Sequence, residues 1–164
     1  MNLLGHNATG IELHKDHIKM AKILAKENNI SEDIFVFNEK KILPFEDDSF
    51  DLITSFSVFE HMSNETLNWI IPEIHRVCSG YVYTLVPNAI KPIDDHTGLA
   101  FLSYMPRFFV LIYLKIVKEK YEYSNVTISG EWDVYHRFLS SLKRIFSKSG
   151  FKFDYLPDLS LIHI

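Results

Sequence analysis

The stretch LPFEDDSFDLITSFSVFEHM, residues 43 to 62, holds a turn, a strand and a polar terminus in close succession. Pro44 and the pair Asp47-Asp48 are turn formers. Phe50 to Ser55 is the most strand-like run of the chain, short and apolar. Ser55, Ser57, Glu60 and His61 follow at once, so hydroxyl, carboxylate and imidazole groups collect where the strand ends. In an open parallel sheet that is where ligands sit, because backbone amides and helix N-termini point outward there. The stretch therefore predicts a strand opening onto a ligand cleft.

Working outward, ATGIEL, residues 8 to 13, predicts a short buried strand running into a helix over residues 16 to 29. In that helix Ile18, Ala21, Leu24 and Ala25 share one face, and Lys15, Lys19, Lys22 and Lys26 lie mostly on the other. A second strand is expected over residues 34 to 38. From Asn64 onward, Leu67, Ile70, Ile71, Ile74, Val77 and Cys78 keep helical spacing. Pro72 inside that pattern predicts a kink or a restart, and Ser79-Gly80 predicts the helix end. YVYTLV, residues 81 to 86, reads as a fully buried strand closed by Pro87-Asn88. Phe138, Leu139, Leu142, Ile145 and Phe146 mark a later helix stopped by Gly150, and residues 151 to 156 read as the last strand. Alternating strands and helices, with strands apolar on both faces, imply an α/β fold: a mostly parallel sheet with helices on both faces. The length fits one domain over residues 1–164, with residues 89 to 134 as a lid or substrate-side insertion.

Composition narrows the class. With 47% hydrophobic and 23% charged residues the chain is an ordinary globular protein. A net charge of -4 argues against a nucleic-acid backbone as partner, since such binders carry basic patches. Cys78 is the only cysteine, which excludes an intrachain disulfide and a cysteine-rich metal site and fits a reducing cytoplasm. The opening MNLLGHNATG has neither the basic nor the apolar region of a signal peptide. The apolar segment 99 to 117 is broken by Pro106-Arg107 and Lys115, short of the roughly 20 residues a membrane span needs. It reads as helices over a core, or as a lid touching a greasy substrate or a membrane surface.

The predicted strand ends carry Glu12, then Asn38-Glu39, then Ser55 to His61, then Asn88. Glu12 has two acceptor oxygens for a pair of ribose hydroxyls; equally, it is a carboxylate favoured by the dipole of the following helix. Glu39 accepts from an adenine amino group or is a solvated loop acid. His61 is the candidate acid or base, because histidine titrates near neutrality, or else a capping residue. His14 and His17 are three apart without a third ligand nearby, and no HExxH pattern occurs, so no metal is expected. Tyr104, Trp132 and Tyr135 line an aromatic pocket or belong to the core.

The 43 to 62 run resembles the central motif of the class I S-adenosylmethionine-dependent methyltransferases, in particular the type 11 group. These carry a leucine-proline-phenylalanine, an acidic turn, a phenylalanine-aspartate strand opening and a glutamate-histidine after the strand. PEIHRVCSGYVYTLVPN, residues 72 to 88, is similar to the family's next helix and strand. DDHTGLAFLSYMPR and LKRIFSKSGF resemble the lid and penultimate helix of members acting on cell-surface polysaccharides and small molecules. The likeness covers residues 8 to 155. It implies a Rossmann-like fold and S-adenosylmethionine as cofactor, with Glu12 on the ribose and Leu13 beside the adenine. Glu39 stands where the family places an aspartate at the adenine amino group, and Ile42 lines the adenine pocket. Phe56 and Ser57 pass the methionine part, and His61 lies where cofactor and substrate meet. Asn88, His96, Tyr104 and Arg107 then face the methyl acceptor, a small molecule or saccharide.

One part of the pattern is not found. Such sheets open with a strand and a glycine-rich turn, and the acidic ribose residue follows about 20 positions later. Only eleven residues precede Glu12, and Gly5 and Gly10 do not supply the spacing. The expectation is a domain truncated at its N-terminus, lacking the first strand, impaired in cofactor binding and prone to self-association through unpaired strand edges. Two competing readings are a non-catalytic fragment or scaffold with the same fold, and, more weakly, a dinucleotide oxidoreductase that uses Glu12 on its own ribose.

Overall fold

The structure is a computed structural model that describes residues 5–13, 15–87, 89–94, 96–117, 132–156 and 161–163. It divides into two compact units, residues 1–44 and 45–164.

In the first unit, β1 (Gly10–Glu12) pairs in parallel with β2 (Phe35–Phe37), with Glu12 opposite Phe37. The crossover is α1 (Lys15–Glu27), which buries Ile18 and Ala25. Two expectations change here. The strand is shorter than ATGIEL and is not buried, with Ile11 39% exposed, because β2 is its only ladder partner among the described residues. Leu24, expected on the packed face, is 56% exposed.

The second unit holds a four-stranded sheet in the order β3-β4-β6-β5. Strand β3 (Phe50–Phe56) runs parallel to β4 (Cys78–Leu85), and the crossover between them is α2 (Asn64–Val77). Ser63 starts that helix, its Oγ accepting from the Thr66 N–H at 3.1 Å. Leu67, Ile70, Ile71, Ile74 and Val77 form its buried stripe, against which α4 (Leu139–Lys148) packs with Leu142 and Phe146 buried. Helix α3 (Arg107–Val117) builds a separate apolar cluster from Val110 and Leu114 with Leu99, Leu102, Trp132 and Val134. The C-terminal strands β5 (Asp154–Leu156) and β6 (Leu161–His163) are antiparallel to each other, and β6 is antiparallel to β4. Parallel pairing thus holds within β1-β2 and within β3-β4, and an antiparallel pairing that was not expected completes the second sheet.

Helix α2 is unbroken at Pro72. Pro72 and Asn68, the residue whose carbonyl loses its donor, are both exposed, so water can satisfy that carbonyl. The helix also does not end at Ser79-Gly80. It stops at Val77, and Cys78 is already the first residue of β4, held by pairing with Phe50. Arg76 fixes this junction: it binds Glu73 through Nε at 3.0 Å and Nη2 at 2.8 Å, and through Nη1 reaches the Phe45 carbonyl and Asp47, each at 2.8 Å. The predicted turn before β3 is thereby tied to the helix that follows it. Strand β4 alternates rather than being buried throughout, with Tyr81 65% exposed and Val82 and Thr84 fully buried.

The β3/β4 register shifts between Phe50 and Leu52, where Gly80 lies against the Asp51 backbone. A Cβ at Gly80 would stand 2.1 Å from the Asp51 carbonyl oxygen. Gly80→Ala is therefore expected to push the two strands apart and cost about 1–3 kcal/mol, measured as a lower urea midpoint at unchanged m-value.

Candidate active site

In the first unit, Glu12 ends β1 with its side chain one-third exposed. One carboxylate oxygen accepts from the Leu13 N–H at 2.6 Å, and the other stands 3.4 Å from His17 Nδ1. Asn38, buried at the end of β2, donates its backbone N–H to the Glu12 carbonyl at 3.1 Å. Its amide also shapes the following loop, donating to the Lys40 and Ile42 carbonyls and accepting from the Lys40 N–H. Glu39, on that loop, is exposed and pairs with Lys15 at 2.7 Å. Glu12, Leu13, Glu39 and Ile42 therefore gather at the carboxyl ends of one parallel strand pair.

In the second unit, β3 ends in a sharp bend. Ser57 has φ +52°, the left-handed region that costs a non-glycine residue about 1–2 kcal/mol, and its N–H is fixed to the Leu85 carbonyl at 2.9 Å. Phe56, 54% exposed, stands edge-on to Tyr83. The chain then enters a short 3-10 helix, Phe59–His61, that buries Phe59 and Glu60. Residues 132 to 137 form a strap across it. The Tyr135 N–H donates to the Glu60 carbonyl at 2.6 Å. Asp133 meets His61 Nδ1 at 2.9 Å. Arg137, itself buried, donates to the Phe59 and Met62 carbonyls and to Asn64 Oδ1.

A carboxylate only accepts, so the neutral His61 ring carries its proton on Nδ1 toward Asp133, leaving the Nε2 lone pair for chemistry. The His96 ring stands perpendicular to that of His61, with centroids 5.6 Å apart. His96, Glu60, Lys91, Ser103 and Tyr135 help line a small, solvent-open cleft. Tyr104 is half-exposed and donates its hydroxyl to the Ile90 carbonyl. Arg107 holds the strap, donating to the Val134 and Trp132 carbonyls at 2.8 and 2.6 Å with its guanidinium 4.1 Å from the Tyr135 ring centroid. Asn88 lies outside the described residues.

Two carboxyls here are shifted in opposite directions. Glu60 is 2% exposed, and neither of its oxygens has a hydrogen-bond partner among the described residues. Burial raises its pKa, countered only in part by its own backbone N–H, by His61 and His96 and by the nearby Ser57 hydroxyl. Asp94 is also buried, and burial alone would raise it. Hydrogen bonds from His136 at 2.7 Å, from His96 and from Thr97 outweigh that effect and hold its carboxyl well below the usual range.

Residues 1–83 match the family model described as a methyltransferase domain. The chain belongs to the methyltransferase domain family. The match spans β1 to β4 up to Tyr83, and with it Glu12, Glu39, Ser57, Glu60 and His61. Three solved structures share the fold. A SAM-dependent methyltransferase from Methanosarcina mazei aligns with a TM-score of 0.61 and 16% identity, over 94% of this chain and 79% of that one. YcgJ from Bacillus subtilis aligns at 0.56 and 20%, over 89% and 53%. An S-adenosylmethionine-dependent methyltransferase from Mesorhizobium loti aligns at 0.55 and 16%, over 90% and 64%. This methyltransferase-family chain thus spans about half of YcgJ and under two-thirds of the M. loti protein. No curated protein sequence matches it.

Sequence reading did not find Asp94, Asp133, His136 and Arg137 among the site's polar residues. The available signal was Asp133, His136 and Arg137 set among Trp132, Val134 and Tyr135 in WDVYHR, residues 132 to 137. For Asp94 the pKa is depressed in the folded state, so its stabilising contribution is present above the unfolded carboxyl value of about 4 and lost as pH falls below it. Asp94→Asn is expected to lower stability at neutral pH by about 1–3 kcal/mol and to flatten the acid limb of unfolding free energy against pH.

Proposed function

We propose that this chain carries out, or contributes the described residues to, S-adenosylmethionine-dependent methyl transfer onto a small-molecule or saccharide acceptor. The observation that carries the reading is the family match across residues 1–83 together with a carboxylate, Glu12, at the end of the parallel strand β1. The donor set at that end fits an adenosine. Glu12 offers acceptor oxygens to two ribose hydroxyls while keeping its bond to the Leu13 N–H. Leu13 and Ile42 supply apolar contact for the base. Glu39 exchanges an exposed ion pair with Lys15 for the adenine amino group, at little cost because such surface pairs contribute less than about 1 kcal/mol.

Phe56 and Ser57 are assigned to the methionine part, where the left-handed bend at Ser57 turns the chain sharply after β3. When bound, S-adenosylmethionine supplies an electrophilic methyl group on sulfur. The protein's task is to align an acceptor atom with it and to exclude misaligned approaches. His61, oriented by Asp133, accepts the proton the acceptor gives up, through Nε2. His96, Tyr104 and Asn88 are assigned to the acceptor side, and Arg107 acts there through the strap it holds. The small cleft beside Glu60 sets Lys91 and Ser103 beside Pro87 and Tyr135, polar and apolar contacts for one part of a hydroxylated acceptor.

Calorimetric titration with S-adenosylhomocysteine tests the ribose assignment. Affinity is expected to drop at least tenfold, about 1.4 kcal/mol, in Glu12→Ala; equal affinity in the two proteins removes Glu12 from the site. With any acceptor that is methylated, His61→Ala is expected to lower kcat by about 10²–10⁴ while leaving S-adenosylhomocysteine affinity unchanged. A normal rate removes the base role, and cofactor binding without turnover on any acceptor favours a non-catalytic scaffold.

A further inference from the structure

We propose that Glu60, His61 and His96 form a binding site for a divalent transition-metal cation. One ligand atom from each lies within 4.8 Å of the other two. Donors about 2.1 Å from a shared tetrahedral ion stand about 3.4 Å apart, so side-chain rotation closing each gap by roughly an ångström completes the set.

Glu60 is the second, independent observation. It is 2% exposed, and both carboxylate oxygens lack a hydrogen-bond partner among the described residues. A buried carboxylate in that state takes up a proton or a cation. A proton satisfies Glu60 alone. It does not account for an imidazole nitrogen from each of two histidines within 4.8 Å of that carboxylate, each ring with a second carboxylate beside its Nδ1. Asp133 holds His61 Nδ1 at 2.9 Å, and Asp94 Oδ1 lies 3.5 Å from His96 Nδ1 while its Oδ2 accepts the His96 backbone N–H at 3.1 Å. Asp94 is in turn fixed by Thr97 and His136. Carboxylates behind imidazoles orient metal-binding histidines and raise their basicity.

Two imidazoles and one carboxylate suit zinc, manganese, iron or cobalt ions rather than calcium or magnesium. The cleft beside Glu60 and His96 leaves room for an exogenous oxygen on the cation. Its use there, to acidify an acceptor hydroxyl, rests on the methyltransferase reading; the binding itself does not. With the cation bound, His61 Nε2 is a ligand, and the base role assigned above belongs to the cation-free protein.

The test is a titration of chelator-treated chain with Co²⁺, followed by visible absorption, and with Zn²⁺, followed by calorimetry, both without cofactor. One equivalent is expected to bind, with ligand-field bands from Co²⁺. Affinity is expected to fall at least tenfold in Glu60→Gln and in His96→Ala, each checked for folding by circular dichroism, and to be unchanged in His6→Ala. Absence of binding at about 100 μM cation, well above the dissociation constants of such sites, overturns the proposal. So does Co²⁺ binding that Glu60→Gln leaves intact. Titrating the same metal-free samples with S-adenosylhomocysteine keeps the two readings apart: cofactor binding without cation binding sinks only the cation site, and the reverse sinks only the cofactor assignment.

Discussion

The second unit depends on how three residues after β3 are held in place. A 3-10 helix of three residues has little stability of its own, yet Phe59–His61 carries the candidate base and a buried carboxylate. The strap at residues 132 to 137 supplies what the helix lacks. Tyr135 satisfies the Glu60 carbonyl, Asp133 orients His61, and the Arg137 guanidinium takes the Phe59 and Met62 carbonyls together with Asn64. A buried guanidinium is costly unless its donors are met, so these acceptors fix Arg137 as firmly as Arg137 fixes them. Arg107 repeats the device one layer out, holding the Trp132 and Val134 carbonyls against the Tyr135 ring. Trp132 and Val134 then anchor the strap in the α3 cluster. The apolar segment first read as a core helix or lid is thereby linked mechanically to the polar group at the end of β3.

The parts that were legible in the sequence are those whose cause is local. Turn residues at Pro44 and Asp47-Asp48 and an apolar run announced β3, and the alternation of strands and helices announced parallel pairing, found within β1-β2 and within β3-β4. The stop at Gly150 was legible for the same reason, since only a residue tolerant of φ +95° closes that helix easily. Where a partner decides, the sequence was silent or misleading. Ser79-Gly80 looks like a helix end, but pairing with β3 draws Cys78 to Gly80 into a strand. The apolar character of residues 8 to 13 suggested burial, which needs a neighbour on each side and has only β2 among the described residues. At the C-terminus the expected strand over residues 151 to 156 is present as the shorter β5, but its antiparallel partner β6, which in turn pairs with β4, was announced by no pattern.

The candidate site divides along the same line. Glu12, Glu39, Ser57 and His61 were visible because each follows a strand. The His61 contact with Asp133 spans 72 positions, and no spacing rule reaches that far. Glu60 shows the limit most clearly. In the sequence it is one carboxylate among the polar groups that follow β3, and only coordinates reveal that it is buried, with neither oxygen hydrogen-bonded among the described residues.

That burial makes the chemistry of this corner a matter of which positive species arrives. A proton on Glu60 leaves His61 Nε2 available to take a proton from an acceptor. A divalent cation at the proposed site would instead take Nε2 as a ligand, and the acceptor's acidity would then come from the metal. One nitrogen cannot serve both tasks at once. If the cation site fills under working conditions, a His61-based mechanism predicts inhibition by the metal and a metal-based one predicts dependence on it, so the response of methylation to chelator has opposite signs. Asp133 serves either case, because a carboxylate on Nδ1 raises the basicity of Nε2 toward a proton and toward a metal alike. The strap therefore fixes the geometry of the corner whichever positive species meets the Glu60 carboxylate.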